Sequence, residues 1–109
     1  MRFTTLIAAL LLGACAEPHL ETAPRTTVAI SDLALHTTDG RAKLRQRVAA
    51  AAHRICDLDG REITPAESRE DPYYCPDMMR SEIMYAMQPD VRRAYAQARR
   101  EAGVQGRNL

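Results

Sequence analysis

The residues best equipped for chemistry in this chain are three cysteines, Cys15, Cys56 and Cys75. A cysteine thiolate can accept an acyl group, ligate a metal or exchange with a disulfide. His53 stands one helical turn before Cys56, which raises the question of a metal site. Structural zinc is normally held by four ligands in closely spaced pairs. The chain has no CxxC and no second His–Cys pair, so neither a metal, a cofactor nor a dithiol redox motif is expected. It also has no nucleophile elbow and no phosphate loop. No catalytic residue is assigned, and an enzyme is not the expectation.

Cys15 has a context of its own. Arg2 gives a short basic start, Leu6 to Leu12 is an unbroken apolar run, and Gly13 and Ala14 follow. That layout is an export signal over residues 1–14, too short to span a bilayer, which needs about 20 residues. Leu12-Gly13-Ala14-Cys15 has the pattern at which bacteria cleave a signal and acylate the new terminal cysteine. Ala14-Cys15-Ala16 also fits the A-x-A pattern of the general signal peptidase. The short signal favours lipidation at Cys15. Several acyl chains on one residue anchor stably where one would not. Ala16 in place of an inner-membrane retention Asp makes the outer membrane the expected site, facing the periplasm. A soluble periplasmic or secreted protein is the alternative.

With Cys15 used at the junction, Cys56 and Cys75 remain as a pair in an oxidising compartment. A disulfide between them is expected to stabilise by about 3 kcal/mol through loop closure.

These groups need elements to hold them. Residues 15–25 carry Pro18 and Pro24 without periodicity and read as a tether, with His19 solvated. Residues 26–31 alternate Val28 and Ile30 with polar neighbours, which predicts a short strand or an extended segment against helices. Thr37, Thr38 and Asp39 offer N-cap oxygens before a helix over 41–56. Leu44, Val48, Ala51, Ala52 and Ile55 form its apolar arc, and His53 projects away from it. Residues 57–74 read as an acidic loop, with Asp59-Gly60 and Thr64-Pro65 as turns. Pro76 and Asp77 suit the first turn of a second helix, with Met79, Ile83, Ala86 and Met87 on the face of Cys75. Pro89 ends it. A third segment runs from Asp90 to about Ala102, with Val91, Tyr95, Ala98 and Ala102 on one stripe. Gly103 stops it, and residues 104–109 are expected to be a disordered tail. Met78, Met79, Met84 and Met87 at helical spacing read as core filler.

The stretch VAISDLAL, then TDGRAKLRQRVAAAAHRIC, and the later Cys75 heading a helix are similar to the UrcA family, small exported bacterial proteins without an established activity. The likeness covers roughly residues 26–88. It implies a cysteine pair at Cys56 and Cys75, and it carries no catalytic role. The chain departs from the pattern in its Met-rich segment after Cys75 and in the cysteine at the signal junction.

The expected architecture is mostly α, or small α+β. It has one short N-terminal strand or extended segment, a disulfide-stapled antiparallel helical hairpin and a third helical segment, within a domain over 26–103. No Trp and a single Phe in the signal leave a thin core of aliphatic residues, Met and Tyr. Without Arg2 the chain has 14 basic and 14 acidic residues, a balance that argues against a nucleic-acid partner. The functional expectation is an envelope structural or interaction lipoprotein, tethered to a membrane and meeting an envelope protein or its own copy. The alternative is a binder of lipid headgroups or lipopolysaccharide phosphates through Arg92, Arg93, Arg99 and Arg100.

Overall fold

The computed structural model describes residues 27–109. The expected signal, Cys15 and the tether lie outside those residues. In chain order, the described part holds α1 (Thr38–Ile63), a 3-10 turn (Ala66–Ser68), α2 (Tyr74–Tyr85) and α3 (Pro89–Glu101). The protein is thus mostly helical, with a Cys56–Cys75 disulfide.

α1 starts where a hydroxyl can replace a missing carbonyl. Thr37 Oγ1 accepts from the Gly40 N–H at 3.0 Å and donates to the Ala34 carbonyl at 2.8 Å. Asp39 in the first turn meets the positive helix end and pairs with Lys43 at 2.8 Å. The chain before α1 passes so close that a β-carbon on Gly40 would stand 2.0 Å from the Ala34 oxygen. Glycine is required there for space.

α1 continues well beyond the expected end at Cys56 and runs to Ile63, so Cys56 lies inside it. Asp59-Gly60 is therefore helix and not a turn. A glycine costs a helix interior only about 1 kcal/mol, and the packing here offsets that. The stop comes at the second expected signal. Thr64 is extended, its N–H reaches the Gly60 carbonyl at 3.0 Å, and Pro65 cannot continue the ladder. The acidic loop is correspondingly shorter and contains the 3-10 turn.

The core is the arc expected on α1. Leu44, Val48 and Ala52 are fully buried, and Ile83 from α2 with Val91 and Tyr95 from α3 cover them. Burying a side chain such as Leu44 contributes about 1.5–3 kcal/mol. Met79, Met84 and Met87 pack on the edge of this cluster as filler. Ala86 and Ala102, expected on the inner faces, are exposed. Each is the residue that closes its helix, α2 and α3 respectively, where the spiral turns away from the core.

Of the stretch expected as a strand or extended segment, residues 27–30 carry no strand pairing; Thr26 lies outside the described residues. Val28, Ile30, Leu33 and Leu35 lie against the core. Arg47 holds this segment down with paired bonds of 2.7 Å to the two Asp32 carboxylate oxygens, and its Nη1 also reaches the Ala29 carbonyl at 2.7 Å.

The last residues, expected to be disordered, fold back. Gly103 and Gly106 take positive φ, which turns the chain. Arg99 then donates to the Gly106 carbonyl at 2.6 Å, Arg45 donates to the Leu109 main-chain oxygen at 3.0 Å, and Leu109 packs on the core. The cause is a set of arginines on α1 and α3 that find main-chain acceptors in the tail.

Candidate functional site

Cys56 and Cys75 are bonded with their α-carbons 5.9 Å apart. α1 supplies Cys56 from its interior and α2 supplies Cys75 from its second residue. The bond lies along an open groove of about 320 Å³ between the end of α1, the loop after it and the start of α2. His53, Gly60, Arg69 and Asp71 line it with the two cysteines. His53, Cys56 and Gly60 share a face at i−3, i and i+4, a register readable in the sequence once α1 is allowed to continue. Gly60 has no side chain to set beside the disulfide, while Arg61 and Thr64 join the groove lining from the end of α1. A β-carbon on Gly60 would be 3.9 Å from Cys75 Sγ.

The far wall of the groove is held by polar ties. Arg69 donates to the Arg61 carbonyl at 3.0 Å and more weakly to Thr64 at 3.4 Å, bracing the end of α1. Asp71 accepts from Arg107 at 2.8 Å and from the Tyr73 N–H at 3.0 Å, and these bonds, the one from Arg107 foremost, hold its carboxyl below the usual carboxylate range. Arg107 also faces Asp77 at 3.5 Å, and Asp77 is paired with Arg80. Arg69 and Arg107 have no sequence motif. They are recruited by the folded positions of carbonyls and carboxylates, which spacing along the chain does not show.

His53 is exposed beside the cysteines. Among the described residues, no three His, Cys, Asp or Glu side chains gather as they would around a metal ion. Nor is any helix among them long and apolar enough to cross a membrane.

The four arginines singled out as a surface-binding set share α3 and differ in their partners. Arg92 donates to the carbonyls of Met87 at 3.1 Å and Tyr85 at 3.4 Å, capping the end of α2. Arg99 is used by the tail. Arg100 donates to Gln97 Oε1 through Nε at 3.2 Å and Nη2 at 2.5 Å. Arg93 is exposed and makes no ion pair among the described residues. None of the four pairs with the acidic loop; Arg107 takes that role.

A polar side chain of the core lies away from the groove. Tyr95 is 4% exposed and its hydroxyl finds no partner among the described residues, and burial pushes its pKa up. Among the described residues, three large apolar side chains stand in solvent: Leu58 at 76%, Tyr73 at 56% and Tyr85 at 83%.

The chain matches no family model, no curated protein and no solved structure.

Proposed function

We propose that this chain is an interaction module of the bacterial cell envelope, of the UrcA type. It is held to the periplasmic face of a membrane, the outer one by preference, through lipid on Cys15. It works by binding an envelope protein or its own copy rather than by catalysis. The observation that carries this reading is the fate of the three cysteines. Two are consumed in the Cys56–Cys75 bond, as suits an oxidising compartment, which leaves Cys15 at the end of an export signal for acylation. Residues 15–25 are then the tether, and the stapled helical hairpin with α3 is the presented body. Leu58, Tyr73 and Tyr85 offer that body apolar contact points.

The test is to label cells with a palmitate analogue and fractionate their membranes, comparing the native chain with Cys15→Ser. Label and membrane association should both be lost in the variant. Unchanged label or fractionation sinks the tethered reading. Photo-crosslinkers at Leu58 or Tyr85 in the intact envelope should then give discrete adducts.

Binding to anionic lipid headgroups or lipopolysaccharide through Arg92, Arg93, Arg99 and Arg100 is the weaker reading, because three of the four spend donors on their own chain. Salt-sensitive binding to anionic vesicles would revive it.

A further inference from the structure

The groove along the disulfide has properties that a purely structural cross-link does not need. Cys56 is half-buried while Cys75 is 8% exposed, so the two residues are not equally open to solvent. Gly60, in the next turn of α1, brings no side chain to the bond, and a β-carbon there would stand 3.9 Å from Cys75 Sγ. The two cysteines also differ in what surrounds the charge that each would carry if released. Cys56 lies mid-helix, where main-chain donors are used up by the ladder. Cys75 lies in the first turn of α2, where the helix end is positive and favours a thiolate. Tyr74 and Asp77 donate to Asp71 and Tyr73 carbonyls, Pro76 has no N–H, and the Cys75 N–H finds no main-chain acceptor among the described residues. Of the carboxylates facing this spot, Asp71 is matched by Arg107 and Asp77 by Arg80 and Arg107, while Asp57 lines the groove on the Cys56 side without an ion pair among the described residues.

We infer that the Cys56–Cys75 bond is a directional thiol–disulfide exchange site, with Cys56 the sulfur attacked and Cys75 the sulfur released. The co-reactant is a protein dithiol of the CxxC class. Its thiolate attacks Cys56 Sγ, a new sulfur–sulfur bond forms, and the electron pair of the old bond leaves on Cys75 Sγ as a thiolate. The second thiol of the CxxC protein, as its thiolate, then attacks its own sulfur in the mixed disulfide. Cys56 leaves as a thiolate and takes up a proton from solvent. The dithiol ends oxidised and this chain ends reduced by two electrons, and the reverse sequence restores the bond. Leaving-group stability and access set such rates, and both point the same way here. Reduction would free the start of α2 from α1 while leaving the Leu44 cluster in place, so exchange would act on the groove wall. The inference stands on the groove alone and does not require the tethered-module reading.

The decisive experiment uses the full chain, purified in mild detergent in its oxidised form. It is mixed with a thioredoxin whose second CxxC cysteine is replaced by serine, so that the first mixed disulfide is trapped. Trypsin then separates the partners onto different peptides, residues 55–61 for Cys56 and 70–80 for Cys75, both distinct from any Cys15 adduct. The expected result is a trapped adduct on residues 55–61, formed by the native protein within about tenfold of the rate of the urea-unfolded chain, where both sulfurs are open. An adduct on residues 70–80, or equal trapping on both, overturns the direction. A native chain that gives no adduct while the unfolded chain reacts overturns the site.

Discussion

A β-carbon on Gly40 would sit 2.0 Å from the Ala34 carbonyl oxygen, whereas one on Gly60, in the same helix, would meet nothing closer than 3.9 Å. The first glycine is there because the entering chain crosses the helix at contact distance. The second sits in space that a methyl group could fill. Gly40→Ala should therefore destabilise by about 1–3 kcal/mol through overpacking against backbone. Gly60→Ala should stabilise by about 0.5–1 kcal/mol by restricting the unfolded chain and raising helix propensity. Urea melts of the two variants should move in opposite directions. A shared sign would mean that one of these two surroundings is misread.

Tyr95→Phe is expected to change stability by less than about 0.5 kcal/mol, or to raise it. Removing a buried hydroxyl that has no partner loses no hydrogen bond and relieves its desolvation cost. Thermal denaturation is sufficient to check this. A loss of about 1–3 kcal/mol would reveal a bound water or other partner on that hydroxyl.

Replacing both bonded cysteines by serine should cost about 3 kcal/mol. The helices themselves should survive, because Leu44, Val48, Ile83, Val91 and Tyr95 pack without the sulfurs. Circular dichroism should keep its helical amplitude while the urea midpoint falls. Loss of the amplitude in water would show that the staple is a condition of folding.

The Arg47 fork beside Asp32 holds that carboxyl at about 2, against an ordinary 3.8. The folded value lies below the unfolded one, so the unfolded chain binds more protons between them. This contact's stabilisation is therefore complete above the unfolded value and is lost as pH falls through the folded one. Asp71 and Glu101 are lowered in the same direction by Arg107 and Arg41. Carboxyl NMR titration should give an Asp32 midpoint near 2 in the native chain, and Arg47→Ala should return it towards 3.8. An unmoved midpoint would sever the assignment to Arg47.

Much of the fold was legible because it follows from period and capping. The apolar arc from Leu44 to Ile55, the cap at Thr37, the break at Pro89 and the cysteine pair all appear where residue types dictate them. The extent of α1 was not legible. Asp59-Gly60 is a turn signal locally, and only the staple and loop packed beside it explain why the helix passes through. The ordered tail was hidden for a similar reason. Its polar ends look solvated in sequence, and the guanidinium groups that hold them come from residues far earlier in the chain. At the candidate site, both cysteines were evident, but the groove around them was not. Its openness depends on Gly60 having no side chain, and its wall depends on Arg69 and Arg107 reaching partners that are distant in sequence.

Arg41, Arg45, Arg47, Arg69, Arg92 and Arg99 all donate to main-chain oxygens, tying together segments that the thin core would leave loose. A cation resting on a carbonyl dipole at contact distance is much less exposed to the ion atmosphere than two charges acting across solvent, where screening sets in over about 8 Å at physiological salt. The shape of this small body should consequently vary little with ionic strength. A lysine at any of these positions would keep the charge and lose the planar guanidinium, whose separate nitrogens let Arg41, Arg47 and Arg69 each reach more than one acceptor in a fixed geometry.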